Sequence, residues 1–300
     1  MKRLTLCLAL LMACHPHEEK PKTPADYDAT IQKWRSDRLA RLTSDDSWLT
    51  LVGLYWLHDG ANRIGSDRAQ NDIVFPAKAP AKIGTITLHD GTLTLEPVAP
   101  VTVGGKAVTG PAPLLPDTDA NGPTVVQVGT MRFHIIKRGE RFGIRAKDPD
   151  NDARTHFKGL DYYPIDPKWR VEAHFEPYNP PKKVAITDVL GETNEETSPG
   201  ALVFTLDGKT HRIDPILERG ETDYFLIIKD ATSGDTTYPA ARYLYASPPG
   251  PDGKVIVDFN KAYNPPCAFT SFATCPLPPP QNRLPIRVEA GEKKYAGGHA

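Results

Sequence analysis

The sequence predicts a mainly β protein, in which antiparallel sheets form a barrel-like sandwich beside one amphipathic N-terminal helix and one long proline-rich loop near the C-terminus. The chain has 30 prolines among 300 residues, about twice the usual share of one in twenty. Proline breaks helix interiors and is tolerated in stiff loops and at strand edges. Short β-branched and aromatic runs separated by turn residues fill most of the chain, and no helical periodicity of useful length follows Leu42.

The N-terminus predicts an exported, membrane-anchored lipoprotein. A basic segment, Met1–Arg3, precedes an apolar run, Leu4–Met12, that is too short for a stable membrane span. The letters LMAC that end at Cys14 resemble the lipobox of bacterial lipoproteins, which implies cleavage before Cys14 and acylation of its thiol. Residues 1–13 would then be a signal peptide and residues 14–24 a polar tether, on the periplasmic side in a Gram-negative cell. An ordinary signal peptide or an uncleaved extension is the alternative.

A helix is predicted to start at Thr23–Asp26, where a capping side chain is followed by proline in the first turn and by an acid three residues on. The helix should end at Ser44 and Asp45. Apolar side chains recur at helical spacing at Tyr27, Ile31, Trp34, Leu39 and Leu42. Basic side chains are expected on the solvent side at Lys33, Arg35, Arg38 and Arg41. We therefore expect the helix to pack across a sheet.

A small β module is predicted to follow the helix, and both are placed in residues 25–110. The apolar run Ser47–Leu57 and the hairpin turns after it give the antiparallel spacing. Three segments resemble the sandwich of forkhead-associated domains: Ile64–Ser66, Asn71–Val74 and Val101–Lys106. Ser66 stands where those domains carry arginine, and their usual Ser–His pair is not visible. The resemblance therefore implies a shape and no phosphothreonine binding.

The loop Pro111–Pro123 is the predicted boundary to a larger β domain over residues 111–295, with residues 296–300 as a tail. The strands predicted in this domain are Val125–Val128, Met131–Lys137, Phe142–Lys147, Trp169–Phe175, Lys183–Asp188, Gly200–Leu206, Thr210–Ile213, Asp223–Lys229 and Tyr238–Tyr245. The turn Lys147–Asp152 has oxygen ligands at alternate positions but lacks the glycine and the terminal glutamate of a calcium-binding EF-hand loop. We predict no metal site.

The long loop lies between a predicted strand at Val255–Val257 and another at Leu284–Val288. Loops of this length without secondary structure are usually functional or disordered, and the aromatic residues in this one favour order. Its cysteines, Cys267 and Cys275, are predicted to form a disulfide, the simplest state of a lone pair outside the cytoplasm. A redox-active pair or a metal site is the alternative.

Several motifs resemble the bacterial domain-of-unknown-function family 1684, over roughly Trp34–Lys293. The most specific are those near the C-terminus, Asp258–Phe269, Thr274–Pro280, Asn282–Leu284 and Glu289–Glu292. Shorter motifs fit upstream at Gly53–Leu57, Phe157–Leu160 and Asp230–Gly234. Ala241 stands where glycine is expected. The resemblance implies membership and a β-rich fold, and it brings no activity.

One site is predicted beside the long loop. The candidate catalytic residues are Asp230 and Asp258, which end two apolar strands, and Arg242, the natural partner of one carboxylate. The candidate ligand-binding residues are Asn260, Tyr263, Asn264 and Arg283. Burying such groups unpaired would be costly, so we expect them to converge on one pocket, with Arg283 facing the second carboxylate or an anionic ligand. A purely structural network of ion pairs and asparagines is the alternative.

Composition and motifs argue against nucleic-acid binding and against a bound cofactor. The net charge of −1 gives no electrostatic footprint for nucleic acid, and without a phosphate loop or dinucleotide fingerprint no cofactor is expected. The sequence favours a β-rich module that binds a small molecule or an envelope component. An envelope hydrolase that uses Asp230 and Asp258 on a glycan or peptide is the alternative, so whether the protein is an enzyme stays open.

Overall fold

A computed structural model describes residues 23–297 and shows a mainly β protein with antiparallel sheets and one N-terminal helix, as predicted. Cys14, the predicted signal peptide and most of the predicted tether lie outside the described residues. Within residues 23–297, no helix combines the length and the apolar character needed to cross a membrane.

Helix α1 spans Tyr27–Thr43 and ends at Ser44 as predicted. It buries Tyr27, Ile31 and Leu42. The predicted division of its faces is wrong at two positions, because Leu39 is 41% exposed while the side chain of Arg38 is only 11% exposed. The reason is that the surface under α1 is not purely apolar. It presents the buried carboxylate of Glu292, to which Arg38 Nε donates at 3.0 Å.

Two sheets form the first β unit. Its strands are β1 (Leu51–Trp56), β2 (Gly60–Gly65), β3 (Ile73–Val74), β4 (Gly84–His89), β5 (Thr92–Pro97), β6 (Val101–Val103), β7 (Lys106–Val108), β8 (Ala112–Leu114), β9 (Val126–Val128), β10 (Met131–Arg138) and β11 (Arg141–Lys147). The strand orders are β1-β11-β10-β9-β6-β7 and β3-β2-β4-β5-β8. One apolar core, from Ile64 to Ala146, fills the space between the sheets. The paired strands of this unit therefore continue past residue 110 as far as Lys147.

The second β unit follows the short helix α2 (Asp152–Thr155). Its strands are β12 (Arg170–Thr187), β13 (Thr193–Leu206), β14 (Lys209–Ile213), β15 (Tyr224–Ile228), β16 (Arg242–Ala246) and β17 (Lys254–Asp258). They form a four-stranded sheet, β14-β13-β12-β17, and a two-stranded sheet, β15-β16. The β13–β14 hairpin turns at Asp207 and Gly208, whose φ angles of 50° and 72° suit the mirror-image turn that an Asp-Gly pair predicts.

The long loop after β17 begins with short 3-10 turns and returns along β15. The predicted strand at Leu284–Val288 is absent, because Pro285 has no amide hydrogen for a strand ladder. The segment still lies beside the end of β15, where the Leu284 N–H donates to the Lys229 carbonyl at 2.7 Å. The loop therefore brings its C-terminal arm back to the edge of the second β unit.

Candidate functional site

Asp230 and Arg242 form a fully buried ion pair at one end of the β15–β16 hairpin. The register pairs Ile228 with Arg242, which places Asp230 just beyond the same end. Arg242 donates to Asp230 Oδ1 at 3.2 Å and to the Val288 carbonyl at 2.8 Å, and it also donates to the Ala290 carbonyl. Burial lowers the pKa of Arg242, and Asp230 opposes that change.

The remaining donors to Asp230 also come from the protein. The Thr232 hydroxyl donates at 2.9 Å and the Val288 N–H at 2.6 Å. Because both carboxylate oxygens are occupied by internal donors and the side chain is 1% exposed, this carboxylate fastens the C-terminal arm of the long loop to the hairpin.

Asp258 belongs to a different network, which joins the start of α1 to the long loop. The Tyr27 hydroxyl donates to Asp258 Oδ1 at 2.8 Å. The side chain of Asn260 donates to the Tyr27 oxygen at 2.9 Å and to the Asp166 carbonyl at 2.9 Å. Burial is the largest cause of a raised pKa at Tyr27, and the neighbouring Asp258 adds to it. This network holds the helix and is not open to a ligand.

Asn264 and Glu292 form a third buried network under α1. Glu292 accepts from the Asn264 backbone N–H at 2.8 Å and from Arg38, which also donates to the Asn264 carbonyl at 3.1 Å. The Asn264 side chain donates to the Lys293 carbonyl at 2.7 Å. These contacts tie the helix, the loop and the C-terminal segment together.

The structure therefore places most of the predicted site residues in three buried networks and not around one shared cavity. Asp230 and Asp258 share no hydrogen bond or ion pair in the described part of the chain, and each has its own buried partners. Arg283 is exposed and lies outside all three networks. The predicted Asp230–Arg242 pair is present, but its surroundings are those of a structural ion pair.

The predicted disulfide is also absent. Cys267 and Cys275 are both free and buried, and the Cys267 N–H donates to Cys275 Sγ at 3.0 Å. The two thiols pack in an apolar cluster with Ile216 and Ala241, where they act as small hydrophobic side chains. The hydrogen bond with Cys267 and burial raise the pKa of Cys275.

A cavity lies where α1, the first β unit and the long loop meet. Its volume is about 620 Å³. We call it the arginine–aromatic pocket, and its side chains come from these three parts of the chain and from the β15–β16 hairpin. Tyr263, a predicted ligand-binding residue, lines it, whereas Asp230, Arg242, Asp258, Asn260 and Asn264 do not.

Aromatic rings form much of the pocket wall. They come from α1 and the turn after it (Trp34 and Trp48), from β15 and β16 (Phe225, Tyr243 and Tyr245) and from the loop (Tyr263). The Phe225 ring stacks on Tyr245 at a centroid distance of 5.0 Å. Such rings offer flat apolar area with hydroxyl groups at the edge, which suits a planar ligand.

Four arginines line the same pocket, and only Glu218 among the lining residues is acidic. Two of these arginines are paired outside the pocket wall, Arg38 with Glu292 and Arg138 with Asp117 at 2.8 Å. The other two, Arg41 and Arg145, have no carboxylate partner among residues 23–297. The pocket therefore carries an excess of positive charge.

Sequence reasoning missed Arg138 and Arg145 because their exposure depends on a segment far away in sequence. In β11, Phe142, Ile144 and Ala146 face the core of the first β unit, so Arg145 points to the opposite face. The alternation of residues in β11 does not reveal what packs on this outer face. The long loop covers it and leaves Arg145 only 5% exposed. A charged residue inside the short apolar run FGIRA was the available signal.

His134 gives a pH prediction for this region. Burial, together with the neighbouring Arg145 and Lys147, lowers the pKa of His134 from its ordinary value of 6.5 to about 4. The unfolded chain therefore binds a proton at His134 more readily than the folded chain does. The contribution of neutral His134 to the free energy of unfolding is complete above pH 6.5 and is lost as the pH falls toward 4. We expect the loss to be on the order of 2 kcal/mol.

Urea unfolding of the wild type and of His134→Gln between pH 4 and 7 checks this prediction. The variant should lose less stability than the wild type over this range, and His89→Gln, at an exposed histidine, should follow the wild type. Parallel curves for the wild type and His134→Gln would contradict the prediction.

Comparisons with known proteins support the family and leave the activity open. Residues 155–293 match the model of a family described as "Protein of unknown function (DUF1684)", a shorter span than the motif resemblance from Trp34. A search of curated proteins found no match.

Two solved structures resemble parts of the chain. One is the solution NMR structure of an uncharacterized protein from Haloarcula marismortui, which is 31% identical, with a TM-score of 0.41, over 48% of this chain and 80% of that one. The other is the FHA-2 domain of an ABC transporter from Mycobacterium tuberculosis, which is 26% identical, with a TM-score of 0.22, over 30% of this chain and 77% of that one. The family match supports assigning residues 155–293 of this chain to the DUF1684 domain family.

Proposed function

We propose that this protein is a ligand-binding module of the cell envelope and that the arginine–aromatic pocket is its binding site. The pocket volume of about 620 Å³ falls within the usual range of about 300–1,000 Å³ for small-molecule sites. The observation that carries the proposal is Arg145, a buried guanidinium at the pocket wall without a carboxylate partner. A buried charge without a counterion is expensive to maintain and is frequent at functional sites.

The arrangement of the carboxylates supports binding over hydrolysis. A glycosidase needs two carboxyl groups on either side of one scissile bond. Asp230 and Asp258 instead occupy separate networks, with donors from Thr232 and Val288 on one and from Tyr27 on the other. Neither lines the pocket.

A thermal-shift screen of neutral, cationic and anionic small molecules tests the binding function. We expect at least one compound to raise the melting temperature of the wild type, because a ligand that binds only the folded state stabilises it. Tyr245→Ala, which removes part of the pocket wall at a 43% exposed position, should reduce this shift. Leu190→Ala, at an equally exposed position elsewhere, should keep it.

Two results would reject the binding function. One is the absence of a shift with every class of compound. The other is turnover of an ester, glycoside or peptide that disappears when Asp230 or Asp258 is replaced by asparagine, since that would restore the hydrolase alternative.

The envelope location rests on Cys14, and acylation of its thiol would tether the module to a membrane. Palmitate labelling and membrane fractionation of the wild type and of Cys14→Ala test this part. We expect labelling and membrane association to be lost in the variant. Unchanged labelling and fractionation would rule out the lipid anchor while leaving the pocket untouched.

A further inference from the structure

Two guanidinium groups converge on a single neutral hydroxyl in the arginine–aromatic pocket. Arg138 Nε donates to Thr274 Oγ1 at 3.1 Å, and a terminal nitrogen of Arg145 donates to the same oxygen at 3.3 Å. A threonine hydroxyl has two lone pairs and one hydrogen. With both lone pairs engaged by cations, its hydrogen is left to donate to a further acceptor.

Arg145 has donor capacity that the protein leaves unused. Its Nε is buried and has no hydrogen-bond partner, and no carboxylate in the described part of the chain lies within ion-pair distance of its guanidinium. Burial and the neighbouring Arg138 lower the pKa of Arg145 to about 10, and Asp117 opposes that change, so the group is still cationic at neutral pH. A guanidinium presents its donors in a fork that matches the oxygens of a carboxylate or phosphate.

Aromatic rings lie directly beside these cations. The Arg145 guanidinium carbon lies 5.3 Å from the centre of the Trp48 ring, which holds the guanidinium in place from one side. Tyr245 and Tyr263 line the same cavity. A planar group attached to the anion would therefore meet flat apolar walls next to the cationic end.

We propose that Arg138, Arg145 and Thr274 form an oxyanion subsite, and that the pocket takes a small ring compound that carries a phosphate or carboxylate group. The subsite rests on the proposed binding function and specifies its ligand class. The oxyanion accepts from the two guanidinium groups and from the Thr274 hydroxyl, and the ring packs against the aromatic walls.

Isothermal titration of the full-length protein with phenyl phosphate, benzoate, phenol and benzylamine tests the subsite. At least one of the two anions should bind at least about tenfold more tightly than phenol and benzylamine. The ranking of phenyl phosphate and benzoate identifies which oxyanion the subsite prefers. Because the attraction is electrostatic, added salt should weaken binding of the anion.

Variants link that binding to the named residues. Arg145→Gln and Thr274→Val should each weaken binding of the preferred anion, the first by at least about tenfold. Arg63→Gln makes the same charge change at an exposed ion pair of the first β unit and should leave binding unchanged. Melting curves establish that each variant is folded, and Thr274, which is only partly buried, serves if Arg145→Gln does not fold.

The unfavourable outcomes separate the two proposals. Equal binding of phenol and the anions would overturn the oxyanion subsite and keep the binding function. Unchanged anion affinity in both Arg145→Gln and Thr274→Val would show adventitious anion binding elsewhere and would also overturn the subsite. If none of the four probes binds, the subsite is rejected, and the binding function falls only if the broader thermal-shift screen is also negative.

Discussion

Arg242→Met should lower the free energy of unfolding by about 3–5 kcal/mol, the usual effect of breaking a buried ion pair from one side. The change leaves Asp230 as a buried carboxylate without its cation. It also removes the donors to the carbonyls of Val288 and Ala290. The C-terminal arm of the long loop would then lose its main attachment to the β15–β16 hairpin.

Urea unfolding followed by circular dichroism measures the effect, with Arg287→Met as the matched control. Arg287 lies in the same arm, but its side chain is 45% exposed where it meets Asp235 and Glu289. We expect the control to unfold nearly like the wild type, because exposed ion pairs contribute little. Similar unfolding curves for Arg242→Met and the control would contradict a structural role for the pair.

Glu292→Ala should cause a loss of similar size, about 3 kcal/mol or more. Glu292 is fully buried and accepts from Arg38 and from the Asn264 N–H. Its removal leaves the Arg38 Nε and the Asn264 N–H without an acceptor beneath α1, and Arg38 keeps its bond to the Asn264 carbonyl. Because Arg38 also packs over the Tyr263 ring at 4.7 Å, the wall of the arginine–aromatic pocket should loosen, and ligand binding should weaken as well.

The control for this change is Glu289→Ala, which removes an exposed carboxylate three residues earlier. Its melting temperature and its ligand affinity should match those of the wild type. If Glu292→Ala were as stable as Glu289→Ala, the buried network under α1 would not be what holds the helix in place.

Local patterns predicted the elements of this fold well. The end of α1 and the hairpin at Asp207-Gly208 were readable because turn residues act on their immediate neighbours. The start was predicted too early, since α1 begins at Tyr27 and its N-cap residue, Asp26, makes no side-chain capping bond. The predicted strand at Leu284–Val288 failed because a single proline outweighs the apolar pattern around it. The sequence did not show that strand pairing crosses residue 110, because strand order is non-local and β11 pairs with β1 across about ninety residues of chain.

The site was harder to predict than the fold, because its side chains come from segments that are far apart in sequence. The Asp230–Arg242 pair could be inferred because both residues flank one hairpin. Arg145 could not, since its burial depends on Thr274 and the rest of a loop more than a hundred residues away. Arg38 was misplaced because the carboxylate that it meets, Glu292, lies near the other end of the chain.

A binding pocket is distinguished from a carboxylate site by whether each buried charge already has a partner within the protein. Asp230 and Arg242 neutralise each other's charge. Asp258 is held by Tyr27 and by the Asn260 N–H. Arg145 combines near-complete burial, an Nε without a hydrogen-bond partner and a position on the wall of the arginine–aromatic pocket. Burial without a counterion is the feature that favours the arginine–aromatic pocket as the centre of function.

The most direct test uses the indole N–H signals of the four tryptophans in a nitrogen-15 NMR titration with the preferred anion. Trp34 and Trp48 line the pocket. Trp56 lies against Arg141, and Trp169 packs in the apolar core of the second β unit. We predict that the signals of Trp34 and Trp48 shift with a common affinity while those of Trp56 and Trp169 stay in place. Shifts confined to Trp56 or Trp169, or no shift at saturating ligand, would contradict the assignment of this pocket as the binding site.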